Sequence, residues 1–224
     1  ANTTAGFSIV SYTGTGTAGD SGTHTIGHGL GSAPKWVIIK QRNSARNWSV
    51  GHDSLTWLKY IYLDVTNASA GGSANNFWGD TAPSSSVITL IKDSGVNATG
   101  NTYIAYCFTP IKGYSKFGSY PGNGNADGPF IHTGFKPAWL MIKGFAGTDD
   151  WIMMDNKRSG FNSENEYLDA NNSSTESDGS GNIDFLSNGF KIKSTFSSLN
   201  YSTGEYIYMA FAESPFVNSS GIPC

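Results

Sequence analysis

Charge is scarce in this sequence, and so are cysteine, histidine and long apolar runs. Charged residues make up 14% of the 224, with a net charge of −3. That leaves no basic stripe to neutralise phosphates, so nucleic acid is not an expected partner. No stretch reaches the roughly 20 apolar residues of a membrane helix, so no helical membrane insertion is expected. The opening "ANTTAGFSIVSYTG" lacks the basic start and apolar run of a signal peptide, which leaves any export signal, as an expectation, outside this chain. Two cysteines, Cys107 and Cys224, make no disulfide framework. Cys107, within "TYIAYCF", reads as a buried, inert thiol. No window of 11 residues carries helical periodicity, which excludes helical bundles and coiled coils.

What the sequence does have is aromatic residues (13%), 28 glycines, and a repeat. "SYTGTG" at Ser11 returns as "SYPGNG" at Ser119. Pro34, Trp36 and Lys40 return as Pro137, Trp139 and Lys143, each 103 residues on, and "NWSV" returns as "DWIM" at the same offset. "YLDVTNAS" at Tyr62 matches "YLDANNSS" at Tyr167, 105 residues on, and "NATGNTYIAYCF" at Asn97 matches "NYSTGEYIYMAF" at Asn200, again at 103. Landmarks in one order through both halves indicate duplication. The copies run over residues 6–112 and 113–216, with a C-terminal tail at 217–224.

Each copy reads as strands. "FSIVSY" and "YSKFGSY" alternate apolar and polar residues, while "KWVIIK" and "AWLMIK" are short apolar runs entered from a proline. Segments rich in Gly, Asn, Asp and Ser separate them, and "SNGF" at Ser187 predicts a hairpin with Asn188 and Gly189 in its turn. Strands of five to seven residues about a dozen apart suggest antiparallel sandwiches. The expected fold is all-β: two tandem, homologous, jelly-roll-like β-sandwich lobes packed about a pseudo-twofold axis.

Catalytic patterns are sparse. His24 and His28 stand four apart, but in a Gly-rich loop running into a strand, with no third ligand nearby. His28 and His132 both precede a Gly-Leu or Gly-Phe pair, which suggests a turn needing an imidazole hydrogen bond. "GTGTAG" and "GNGNADG" have the glycines of a phosphate loop but no following helix to supply a dipole. "DGSGNID" and "NGNADG" alternate oxygen-bearing residues like a calcium loop, making Asp127, Asp178 and Asp184 the calcium candidates. Both lack the full pattern and read better as turns, so no firm metal site and no cofactor is expected. The pairs Asp149 with Asp150 and Glu164 with Glu166 could serve glycoside hydrolysis, but no nucleophile motif accompanies them, and the chain is not expected to be an enzyme. Aromatic residues particular to the first copy are the better functional material, because sugar rings stack on aromatic faces. Trp57 and Trp78 have no counterpart in the second copy. With Tyr60, Asn75 and Asn76 they form the candidate ligand-binding set.

The runs "GFSIVSYTGTG", "IGHGLGSAPKWVIIKQRNSARNWSVGH" and "IDFLSNGFKIKSTFSSLNYSTGEYIYMAFAESPF" resemble an uncharacterised domain that recurs in virion proteins of tailed bacteriophages, including tail-fibre-like proteins. The resemblance spans nearly the whole chain and transfers no catalytic residue. It implies a location on the particle surface, self-association, and contact with other virion proteins or with host-surface polysaccharide. The expected role is a tail-fibre or adhesin module, the alternative being a structural capsid, decoration or filament subunit without a ligand.

Overall fold

A computed structural model describes residues 1–16, 22–72, 77–179 and 181–214. The chain is all-β, built of antiparallel sheets, and divides into two compact units. The first holds Ala1–Asp64 and Ser69–Pro110; the second holds Val65–Ala68 and the chain from Ile111 onward. Among the described residues no helix is long and apolar enough to cross a membrane.

The first unit contains β1 (Phe7–Thr13), β2 (Thr23–Gly27), β3 (Trp36–Gln41), β4 (Ser49–His52), β5 (Lys59–Tyr62), β6 (Ala70–Gly71), β7 (Val87–Ile91) and β8 (Thr102–Phe108). They form a sheet in the order β1-β8-β3-β4-β5-β6 and a separate β2-β7 ribbon. Alternation in β8 turns Tyr103, Ala105 and Cys107 inward, where they meet Val37 and Ile39 of β3 and Ile88 and Leu90 of β7. Sheet and ribbon thus enclose one apolar core, with the Cys107 thiol pushed up to about 12 by burial.

The second unit contains β9 (Ser115–Pro121), β10 (Phe130–His132), β11 (Pro137–Gly144), β12 (Trp151–Asp155), β13 (Leu168–Asp169), β14 (Ile183–Leu186), β15 (Gly189–Ile192), a single turn of helix α1 (Ser197–Asn200) and β16 (Glu205–Ala212). One sheet runs β13-β12-β11-β16-β9 and a second β10-β15-β14. Leu140, Ile142, Ile152, Tyr208 and Ala210 of the first face Phe185, Phe190 and Ile192 of the second.

Two local expectations need correction. The β14-β15 hairpin forms, but Leu186 pairs with Gly189, so Ser187 and Asn188 are the turn and Gly189 is already strand. A side chain at Gly189 would run into the Ile131 carbonyl, so the glycine serves close approach of β10 rather than turn conformation. The match of Tyr62 with Tyr167 is also offset from the pairing. Ser49 faces Tyr62 in the first unit, whereas Ile152, which the repeat matches to Ser49, faces Asp169, two residues beyond Tyr167. A slip of two preserves which face each side chain takes.

Candidate functional site

The two Gly-x-Gly loops close the ends of their units in the same way. Thr15 N–H donates to Asn97 Oδ1 at 3.0 Å and Gly16 N–H to the Asn97 carbonyl at 3.0 Å. In the second unit Asn123 N–H donates to Asn200 Oδ1 at 2.8 Å and Gly124 N–H to the Asn200 carbonyl at 3.1 Å. Tyr12 and Tyr120 hydroxyls donate to the Val96 and Leu199 carbonyls. Tyr103 and Tyr206, stacked on those tyrosines at 5.2 and 5.0 Å, accept from Ala98 N–H and Tyr201 N–H and donate to the Ser94 and Ser197 carbonyls. A phosphate cradle needs free amides pointing at the ligand. Here the loop amides are already bonded to a buried asparagine, which makes the loops scaffold.

His28 and His52 are also scaffold. Leu30 N–H donates to His28 Nδ1 at 3.2 Å, which leaves Nε2 as the protonated nitrogen, 3.2 Å from the Ser84 carbonyl. This is the imidazole-dependent turn expected from the sequence. Its counterpart uses another residue: Thr133 Oγ1 accepts from Phe135 N–H, while His132 is exposed. His24 Nδ1 lies 3.1 Å from Thr15 Oγ1. His52, fully buried, accepts from Ser54 N–H at the start of a short 3-10 turn, and burial pushes its pKa down to about 3.

The matched segments differ in sequence at the end of the second unit. Lys40 and Lys143 hold the matched loops alike: Lys40 Nζ donates to the Arg46 carbonyl, and Lys143 Nζ to the Asp149 carbonyl. Lys143 also donates to the Thr66 carbonyl at 2.8 Å. Its side chain is fully buried, and that burial, opposed by Asp149 and Asp150, lowers its pKa to about 8. Beside it opens a cleft of about 290 Å³ lined by Asp149, Ser197, Tyr201, Glu205 and Tyr206. Tyr201 is 59% exposed, and Glu205 is exposed at the start of β16. The Asp149 carboxylate lies so close over Gly144 that a side chain there would overlap it. Burial raises the Asp149 pKa, with Lys143 lowering it and Asp150 raising it further. At the matched positions the first copy has Arg46, Ala98 and Thr102 in place of Asp149, Tyr201 and Glu205.

A family profile described as "Domain of unknown function (DUF7483)" matches residues 1–215. The chain belongs to that family. No curated protein and no solved structure matches it. The DUF7483 match reaches into both compact units.

The ligand set expected in the first copy is corrected. Trp57 and Trp78 are 2% and 0% exposed and meet edge to face at 5.5 Å, with Trp78 Nε1 donating to the Lys59 carbonyl. Buried rings offer no face to a sugar. Tyr60 is partly buried and stacked on Phe77 at 3.9 Å, and Asn75 and Asn76 lie outside the described residues.

The calcium candidates do not converge. Asp127 pairs with Lys191 at 2.7 Å, Asp184 accepts from the Ser163 hydroxyl, and Asp178 is exposed. Asn123 and Asn125 side-chain oxygens accept from amides two residues ahead, the geometry of Asx turns. Among the described residues no three His, Cys, Asp or Glu side chains gather as a metal set. Of the carboxylate pairs, Glu164 is buried and accepts from Ser159 N–H, and Asp150 accepts from the side-chain amides of Asn171 and Asn172. Asp149 opens on a cleft. Tyr201 and Glu205 were not singled out in the sequence; the available signal was their change from Ala98 and Thr102 within an otherwise matched frame.

Proposed function

We propose that this chain is a binding module on the surface of a tailed-phage particle, a tail-fibre or adhesin element whose second unit takes host-surface glycan in the cleft beside Tyr201. On this reading the units are duplicated, jelly-roll-like copies. The matched strand orders β1-β8-β3-β4-β5 and β9-β16-β11-β12-β13 support that relation. The observation that carries the function is the exposed Tyr201 ring at a cleft of about 290 Å³ flanked by Asp149 and Glu205. A sugar stacks its apolar face on such a ring while carboxylates accept its hydroxyl protons. The role assigned is binding, not hydrolysis.

The test is a glycan array and a host-cell binding assay with wild type and Tyr201→Ala. Tyr201 is exposed, so the variant should fold and lose binding. Wild type that binds no glycan at millimolar concentration sinks the reading, and release of sugar fragments would turn it into a depolymerase. A structural subunit without a ligand is the second reading. It is favoured by apolar residues open to solvent, Phe161 at 75% and Ile9 at 53% exposure, which an assembly would cover.

A further inference from the structure

Resting on that reading of the cleft, we infer that the site selects an amine-bearing saccharide, such as a polymer of unacetylated 2-amino-2-deoxyhexose, over acetylated or uronate-containing glycans. The cavity and the exposed ring make the binding place, and the charges around it choose the ligand. Asp149 and Glu205 line the cleft, and no Lys or Arg does. Lys143 lies close to Asp149, but its buried ammonium is already donated to the Thr66 and Asp149 carbonyls and is not available to a ligand carboxylate. A uronate would therefore meet two carboxylates with no cation in the lining to compensate. A protonated amine would pair with them and sit against the Tyr201 face, an arrangement that also draws a cation to the ring quadrupole. The Asp149 carboxylate is already disfavoured in its charged form by burial, and a ligand cation relieves what a ligand anion would worsen. The first copy, with Arg46 where Asp149 stands, carries the opposite sign at the matched position.

The experiment is calorimetric titration of the full chain with three oligosaccharides of equal length: β-1,4-linked glucosamine, its N-acetylated form, and galacturonate, at a pH that keeps the amine protonated. The amine form is expected to bind at least about tenfold more tightly than the acetylated form, a difference of about 1.4 kcal/mol, with the uronate weakest. Glu205→Gln, at an exposed position, should shrink that preference, and Asp149→Asn should act in the same direction. Asp178→Asn removes an exposed charge that does not line the cleft and should change nothing, which separates site recognition from general attraction of a polycation to an acidic protein. Equal or better binding of the acetylated or uronate form overturns the selectivity and leaves the glycan reading standing. A preference that survives Glu205→Gln, or falls equally with Asp178→Asn, overturns it too. Absence of binding to all three overturns both.

Discussion

Lys143 offers the most quantitative test of the frame that carries the cleft. Its ammonium is fully buried, donates to the Thr66 and Asp149 carbonyls, and has a pKa lowered from 10.5 to about 8. A lowered folded-state pKa means that the unfolded chain holds the proton more tightly. Stability from this residue is therefore fully present only above the unfolded value and is lost as pH falls through the folded one. Between the two values the wild type should gain stability with rising pH, by about 2 kcal/mol from about pH 7 to about pH 9.5. Lys143→Met removes the titration. It also removes two hydrogen bonds from a charged donor, at about 1.5–3 kcal/mol each, and relieves a burial cost of about 3 kcal/mol, so the variant should be modestly less stable near neutrality.

The discriminating quantity is the wild-type minus variant stability from urea titrations at matched pH. It should widen by about 2 kcal/mol across that window. The buried tyrosines, whose pKa values are raised, pull stability down as pH climbs past 10, but they do so in both proteins and cancel in the difference. A difference that stays flat from neutral to alkaline pH would refute the assignment of a strained buried ammonium to Lys143.

Three further outcomes are expected. Asn200→Ala should cost about 3 kcal/mol or more by thermal or urea midpoint, because both amide atoms are bonded, to Asn123, Asn125 and Ser194. Asn97→Ala should cost only about 1 kcal/mol, since its Nδ2 has no partner among the described residues; equal costs would contradict the asymmetry. Gly14→Ala and Gly122→Ala would each place a methyl 2.1 Å from a backbone oxygen, of Ala98 and Tyr201, and should lower the midpoint sharply. Gly27→Ala, with its nearest neighbour 3.8 Å away, should stay within about 0.5 kcal/mol of wild type. Trp57→Ala and Trp78→Ala should each lose about 3–5 kcal/mol of stability, and full stability with selective loss of ligand would reverse their placement in the core.

The strand pattern was legible because pleating writes itself into sequence at period two, and β8 and β1 needed nothing else. What stayed hidden depended on partners across the core. Trp57 and Trp78, unique to the first copy, suggested divergence toward a ligand. Instead they fill space over Gly51, where a methyl would strike both rings. The matched residue in β12 is Met154, itself buried, so the strand position that lacks a side chain at Gly51 carries a core side chain in the second unit. A difference between copies thus has two physical meanings, a new surface or a new way of filling an old volume, and only burial separates them. The swap of His28 for Thr133 illustrates the same limit. Imidazole nitrogen and hydroxyl oxygen are interchangeable as acceptors for the amide two residues on, so alignment by residue type pointed to His132, which does not make the bond.

The cleft passes the burial criterion that the tryptophan pair fails, and its construction explains why it could diverge. Asp149 leaves a loop whose carbonyl Lys143 holds, as Lys40 holds that of Arg46. Tyr201 leaves a backbone whose N–H is fixed by the Tyr206 hydroxyl, as that of Ala98 is fixed by Tyr103. Glu205 opens β16 as Thr102 opens β8. Asp149 and Tyr201 therefore project from backbone anchored by residues found at the matched positions of both units, and Glu205 from the matched strand start. Changing them alters the chemistry at the end of the unit without touching a hydrogen bond that the fold requires. On the proposed reading, a site on such anchors keeps its geometry while its residues vary, with specificity in Asp149, Tyr201 and Glu205 and rigidity in Lys143, Tyr206 and Asn200.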